Sequence, residues 1–272
     1  EGECGTHALQ AFRQFRQRSD QGIRRSARCA GYRRNHRQEI PARERRIIYH
    51  GISAETLTIR GTGTLNIDYL SGNYGRQNTY GISAKTLTIE SGKVNVNYAY
   101  KYGISASTLI INGGTIKTFG GEGGIYSSKL TISGGTLNAN GHQYGIEVGR
   151  YLVISGGIVQ AGSSDTLSTG IGISAPACNI SGGTVMTVAD DKGIEASRGV
   201  YLSGGYLIVD ADDYAYGGQV GISSSTICIT GGSLEIVSGE GAFKAMPEFS
   251  SCCTYDLEQG DSEDTAKRAS VL

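Results

Sequence analysis

The 272-residue sequence has no Trp, only three Pro and two Met, and just 18% charged residues. No apolar run reaches the ~18 residues that a membrane-crossing helix requires, so no such span is expected. The six Cys (Cys4, Cys29, Cys178, Cys228, Cys252 and Cys253) contain no C-x₂-C pair. That pattern supports neither a zinc site nor a disulfide framework. The four His (His7, His36, His50 and His142) form no metal-ligating pair. Proline is too rare, and glycine too irregularly placed, for a collagen repeat. Ile, Leu and Val are spread evenly along the chain, which a disordered segment would not show.

What is abundant is glycine, 42 residues, about twice the usual share. The zero net charge hides two compositions. Residues 1–46 hold twelve Arg against five acidic residues and only four Gly. Residues 47–272 have an acidic excess of seven and the other 38 Gly. The seam falls near Arg46. Residues 8–16 (ALQAFRQFR) have the pattern of an amphipathic cap helix. The rest of the Arg-rich segment reads as disordered or as non-native sequence. A nucleic-acid-binding arm is the least favoured reading, so nucleic acid is not an expected partner.

Self-similarity organises the remainder. GISA-x-TLTI begins at Gly51 and Gly81, GISASTLII begins at Gly103, and looser versions begin at Gly124, Gly145, Gly172, Gly193 and Gly221. Spacings of 21–22 residues recur, and three intervals carry extra loop. A double Gly, as at Gly113-Gly114 or Gly204-Gly205, follows most copies. Each unit reads as three short strands, G-I-x, L-x-I and x-L-x-V, with the period of two expected of β structure. A coil of ~21 residues cannot bury its own inner face. Stacking in a parallel ladder does so. The fold expected is all-β: a single-stranded right-handed parallel β-helix of about eight coils over residues 47–240, then a cap and polar linker over 241–272. Inward columns are predicted through Ile52, through Leu57 and through Ile59. Cys178 falls in the Leu57 column, and Cys228 lies outward.

Two side-chain groups suggest chemistry. Tyr is the dominant aromatic, 16 against five Phe. Tyr98, Tyr100, Tyr102, Tyr214 and Tyr216 fall in expected loops, where an apolar ring face with a hydroxyl suits a sugar ring. Asp190, Asp191, Glu195, Asp212 and Asp213 cluster in loops entering successive coils. Hard oxygen donors of this kind suit calcium, and a solvated acidic loop is the alternative. Paired carboxylates also serve acid–base catalysis, but nothing in the spacing demands it.

The run ISGGTVMTVADDKGIEASRGVYLSGGYLIVDADD, residues 180–213, resembles the bacterial carbohydrate-binding β-helix family. Those are secreted or surface proteins of pectate-lyase-like shape with bound calcium. The resemblance covers residues 50–267, and Ala242–Ser250 and Gly260–Lys267 are similar to the tail that follows such domains. It implies that Asp190, Asp191, Glu195, Asp212 and Asp213 hold calcium, although most coils lack the acidic pair. It also implies a plant-type or bacterial cell-wall polysaccharide as partner, and an extracellular or cell-surface location. A non-catalytic binding protein is the reading preferred. The alternatives are a pectin-type lyase or hydrolase, whose Arg-Pro, Asn-Thr-Asp and Gly-His-Gly signatures are absent, and a structural adhesin or stalk.

Overall fold

The computed structural model describes residues 49–68, 79–162, 169–211 and 219–238, together with Gly241–Phe243, Glu248–Phe249, Tyr255–Glu258 and Lys267–Val271. Contacts divide the chain into Glu1–Arg46 and Ile47–Leu272. The expected cap helix and Arg-rich segment lie outside the described residues, as do Tyr214, Tyr216, Asp212 and Asp213.

Every described element is a strand, and corresponding strands of successive repeats pair in parallel. Ile52 aligns with Ile82, Ile104, Ile125, Ile146, Ile173, Ile194 and Ile222 in turn. Leu57, Leu87, Leu109, Leu130, Leu152, Cys178, Val200 and Ile227 form a second column. The Ile59 column runs beside it to Ile229. From Ile82, Leu87 and Ile89 onward, nearly all members of these columns are buried and form one apolar core. The described repeats form a parallel β solenoid. Its side-chain alternation is fixed by the register, because a slip of one residue would turn each column out to water.

One expectation changes. In the first five repeats the G-I-x and L-x-I segments are not separate strands. They run together as Tyr49–Ile59, Thr79–Ile89, Tyr102–Ile111, Gly123–Ile132 and Tyr144–Ile154. The residues between them keep their backbone N–H groups and continue the ladder. In the sixth repeat Pro176 has no N–H to give, and Ile171–Ser174 separates from Ala177–Ile180 there.

Glycine serves two purposes. In the Gly113-Gly114 pair only the second residue has positive φ, 85°. A Cβ on the first would collide with the Glu90 carbonyl of the preceding rung. The Gly that opens each repeat from Gly81 to Gly193 is a packing glycine instead: a Cβ on Gly103 would overlap the Thr118 side chain. At the far end, Gly241–Phe243 and Glu248–Phe249 extend the parallel ladders. Part of the stretch expected as a polar linker is also strand. Lys267–Val271 lies antiparallel along Leu234–Ser238, with Tyr255–Glu258 on its other side. That pairing covers an otherwise open sheet edge.

Candidate functional site

The outward position just after each repeat Ile generates the site. Register places Ser53, Ser83, Ser105, Tyr126, Glu147, Ser174, Glu195 and Ser223 in one column. Its second half borders a groove of about 560 Å³ that crosses four rungs. The groove is lined by Glu147, Val148 and Gly149, then Ser174, Ala175 and Pro176, then Glu195, Ala196 and Ser197, then Ser223, Ser224 and Ser225. Small side chains at the bend leave this space open along the shaft. Ser224 donates to the Thr226 carbonyl at 2.8 Å. Ser223 is only 9% exposed, and its hydroxyl has no partner among the described residues. The groove therefore has hydroxyl groups and two carboxylates on small-residue walls.

Both carboxylates are held from the adjacent column, which runs His50, Tyr80, Tyr102, Gly123, Tyr144, Ile171, Lys192 and Val220. Its first members stack: His50 on Tyr80 at 5.5 Å and Tyr80 on Tyr102 at 6.5 Å between ring centroids. Gly123 then interrupts the stack. Tyr102 leans into the vacant place, and its hydroxyl donates to Oε2 of Glu147, two rungs on. Burial, and then this carboxylate, push the Tyr102 phenol far above its usual range. Lys192 Nζ donates to Oε1 of Glu195 at 2.7 Å and lies 3.7 Å from Asp191. The Glu195 bond raises the Lys192 pKa.

Of the residues expected from sequence, the structure describes Tyr98, Tyr100, Tyr102, Asp190, Asp191 and Glu195. Tyr102 is 6% exposed, and its hydroxyl braces Glu147. Tyr98 is half-buried and packs against Phe119. Tyr100 is exposed. Of the acidic set, Glu195 reaches the groove and shares Lys192 with Asp191, while Asp190 is half-buried. An ammonium thus occupies the position that a cation would take between these two carboxylates. Among the described residues no three His, Cys, Asp or Glu side chains converge as metal ligands.

Tyr151, Tyr201 and Tyr206 are exposed rings that loop-based reasoning missed. Tyr151 shares the rung of Glu147, and Lys129 Nζ lies 5.7 Å from its ring centroid. Tyr201 folds back over Gly199, where a Cβ would strike its ring. Tyr206 donates to Glu235 at 3.1 Å. Each directly precedes an inward residue (Leu152, Leu202 or Leu207), so the alternation itself marked these tyrosines as outward.

Residues 47–215 match the family model described as "Carbohydrate-binding domain-containing protein". The chain belongs to that family. This carbohydrate-binding chain has no match among curated proteins or among solved structures. Family membership identifies a carbohydrate as the partner, and no helix among the described residues is long and apolar enough to cross a membrane.

Proposed function

We propose that the solenoid is a right-handed β-helix of about eight coils that binds a cell-wall-type polysaccharide without cleaving it, at the cell surface or outside the cell. The observation that carries this reading is the groove, which takes its lining from four successive rungs. An extended polymer can lie along it and meet the same kinds of side chain at every ~4.8 Å rung. Exposed rings at Tyr151 and Tyr201, on the strand segments beyond the groove, supply faces for sugar stacking.

Binding is favoured over catalysis by the state of the carboxylates. Glu147 and Glu195 are each tied to a donor, and backbone spacing sets them two rungs apart, roughly 10 Å. Calcium enters this reading as a ligand of the acidic loops, where it competes with the Lys192 ammonium for Asp191 and Glu195.

Affinity electrophoresis through gels containing pectin, xylan or soluble cellulose, with calcium and with chelator, tests the proposal. At least one polysaccharide retards the protein. Ser174→Trp, which fills the groove, removes that retardation while circular dichroism is unchanged. Retardation undiminished by Ser174→Trp refutes the groove, and mobility unaffected by every polysaccharide refutes the function.

A further inference from the structure

The groove has a period longer than one rung. In the rung opened by Gly145 the lining begins with Glu147, and Arg150 follows the lining residue Gly149. In the rung opened by Gly193 it begins with Glu195, and Arg198 follows Ser197. The rung between them has Ser174, Ala175 and Pro176, with no charge. Glutamates thus stand on one edge and arginines beyond the other, both on alternate rungs, roughly 10 Å apart.

The two edges differ in what they leave unused. Glu147 gives one oxygen to Tyr102, and Glu195 gives one to Lys192, so each has a second oxygen to accept a hydroxyl. Arg150 and Arg198 are exposed and form no ion pair among the described residues. The Arg198 backbone is fixed to neighbouring rungs. Its N–H donates to the Pro176 carbonyl at 2.7 Å, and its carbonyl accepts from Ser225 at 3.1 Å. A guanidinium fork on a fixed backbone matches a carboxylate in a bidentate manner.

Resting on the carbohydrate-binding reading, we propose that the groove takes an extended β-linked polysaccharide with one carboxylate per disaccharide. The carboxylate lies on the Arg150–Arg198 edge, and sugar hydroxyls face Glu147 and Glu195. In such a chain each sugar spans about one rung, and alternate sugars turn the same edge to the same side. One arginine per two rungs then meets one carboxylate per two sugars. A chain of uronates alone also sets carboxylates against Glu147 and Glu195, and a neutral glucan leaves both guanidinium groups without an anion. Ser223, at the last rung of the lining, adds a further hydroxyl for a sugar.

Isothermal titration calorimetry on the full chain tests this with three β-linked oligosaccharides of equal length: hyaluronan fragments (one carboxylate per disaccharide), oligomannuronate (one per sugar) and cello-oligosaccharide (none). Peptide-free bacterial cell-wall glycan strands, which bear a lactate carboxylate on alternate sugars, form a further arm. Binding of either alternating chain at least about tenfold tighter than the other two upholds the proposal, and their ranking names the source. Arg150→Gln and Arg198→Gln each weaken that binding by about tenfold, the scale of one charge-assisted contact, whereas Lys85→Gln leaves it unchanged. Equal affinity for oligomannuronate, or arginine variants without effect, overturns it. If cello-oligosaccharide alone binds, the charge register is wrong and the carbohydrate reading stands. If neither these chains nor the gel polysaccharides bind, both fall.

Discussion

Gly123→Ala adds one carbon, which would also lie 3.1 Å from the Tyr144 carbonyl, and it tests how the groove is held. The new Cβ would lie 2.7 Å from Cε1 and 3.0 Å from Cδ1 of Tyr102. Both distances are far inside ordinary contact, so the ring must move. It is 6% exposed, and a tilt at the ring is amplified at the hydroxyl, which leaves Glu147. Losing a hydrogen bond to a charged acceptor costs about 1.5–3 kcal/mol. Glu147 is only half-buried, so water replaces part of the bond and the lower end applies. Replacing Gly also restricts the unfolded chain, which returns about 0.4–1 kcal/mol. A net loss of roughly 1 kcal/mol is expected from urea unfolding. Tyr102→Phe removes the same bond without the collision, so the two substitutions share one effect. The double variant should be more stable than the sum of the single effects by about 1.5 kcal/mol, the bond that both remove. Costs that add to within ~0.5 kcal/mol would refute the link between the gap at Gly123 and the brace on Glu147.

Other consequences are more direct. Leu109→Ala empties a fully buried place in the middle of its column and should cost about 2–5 kcal/mol in urea unfolding. A loss below about 1 kcal/mol would contradict a packed interior. Tyr102, Tyr144 and Lys192 all have folded-state pKa values above their usual ones. Folding therefore retains protons that the unfolded chain releases. The stability these groups provide is complete below about pH 10 and is lost as pH climbs through the folded values, so a melting temperature that stays level from pH 9 to 11.5 would contradict it. Burial pushes the Cys178 thiol up to about 12, whereas Cys228 is partly exposed. Maleimide labelling read by peptide mapping at pH 7.5 should modify Cys228 in the native protein and reach Cys178 only on unfolding.

Sequence alone determined the solenoid. An apolar position repeated at ~21 residues, with small polar residues alternating inside each segment, has no other way to leave water than to stack on its own copies. The paired register then followed for Ile52, Leu57 and Ile59, and even for the thiol of Cys178. Strand number per repeat was less legible. Pro176 divides one long strand, but in the earlier repeats nothing interrupts it, and the short motifs concealed that continuity. The site was barely legible. Tyrosines were sought in loops, yet Tyr151, Tyr201 and Tyr206 are exposed on strands. Tyr102 belongs to a run that looks like a sugar platform, but the absent side chain at Gly123, 21 residues later, draws its ring inward onto Glu147. The lysine in the acidic run at 190–195 likewise looks incidental until the fold sets its ammonium on Glu195. Periodicity fixes which residues share a column because every rung repeats the last. Only the tertiary structure decides which member of a column is missing, which neighbour fills the gap, and where the small residues at a bend leave room for a ligand.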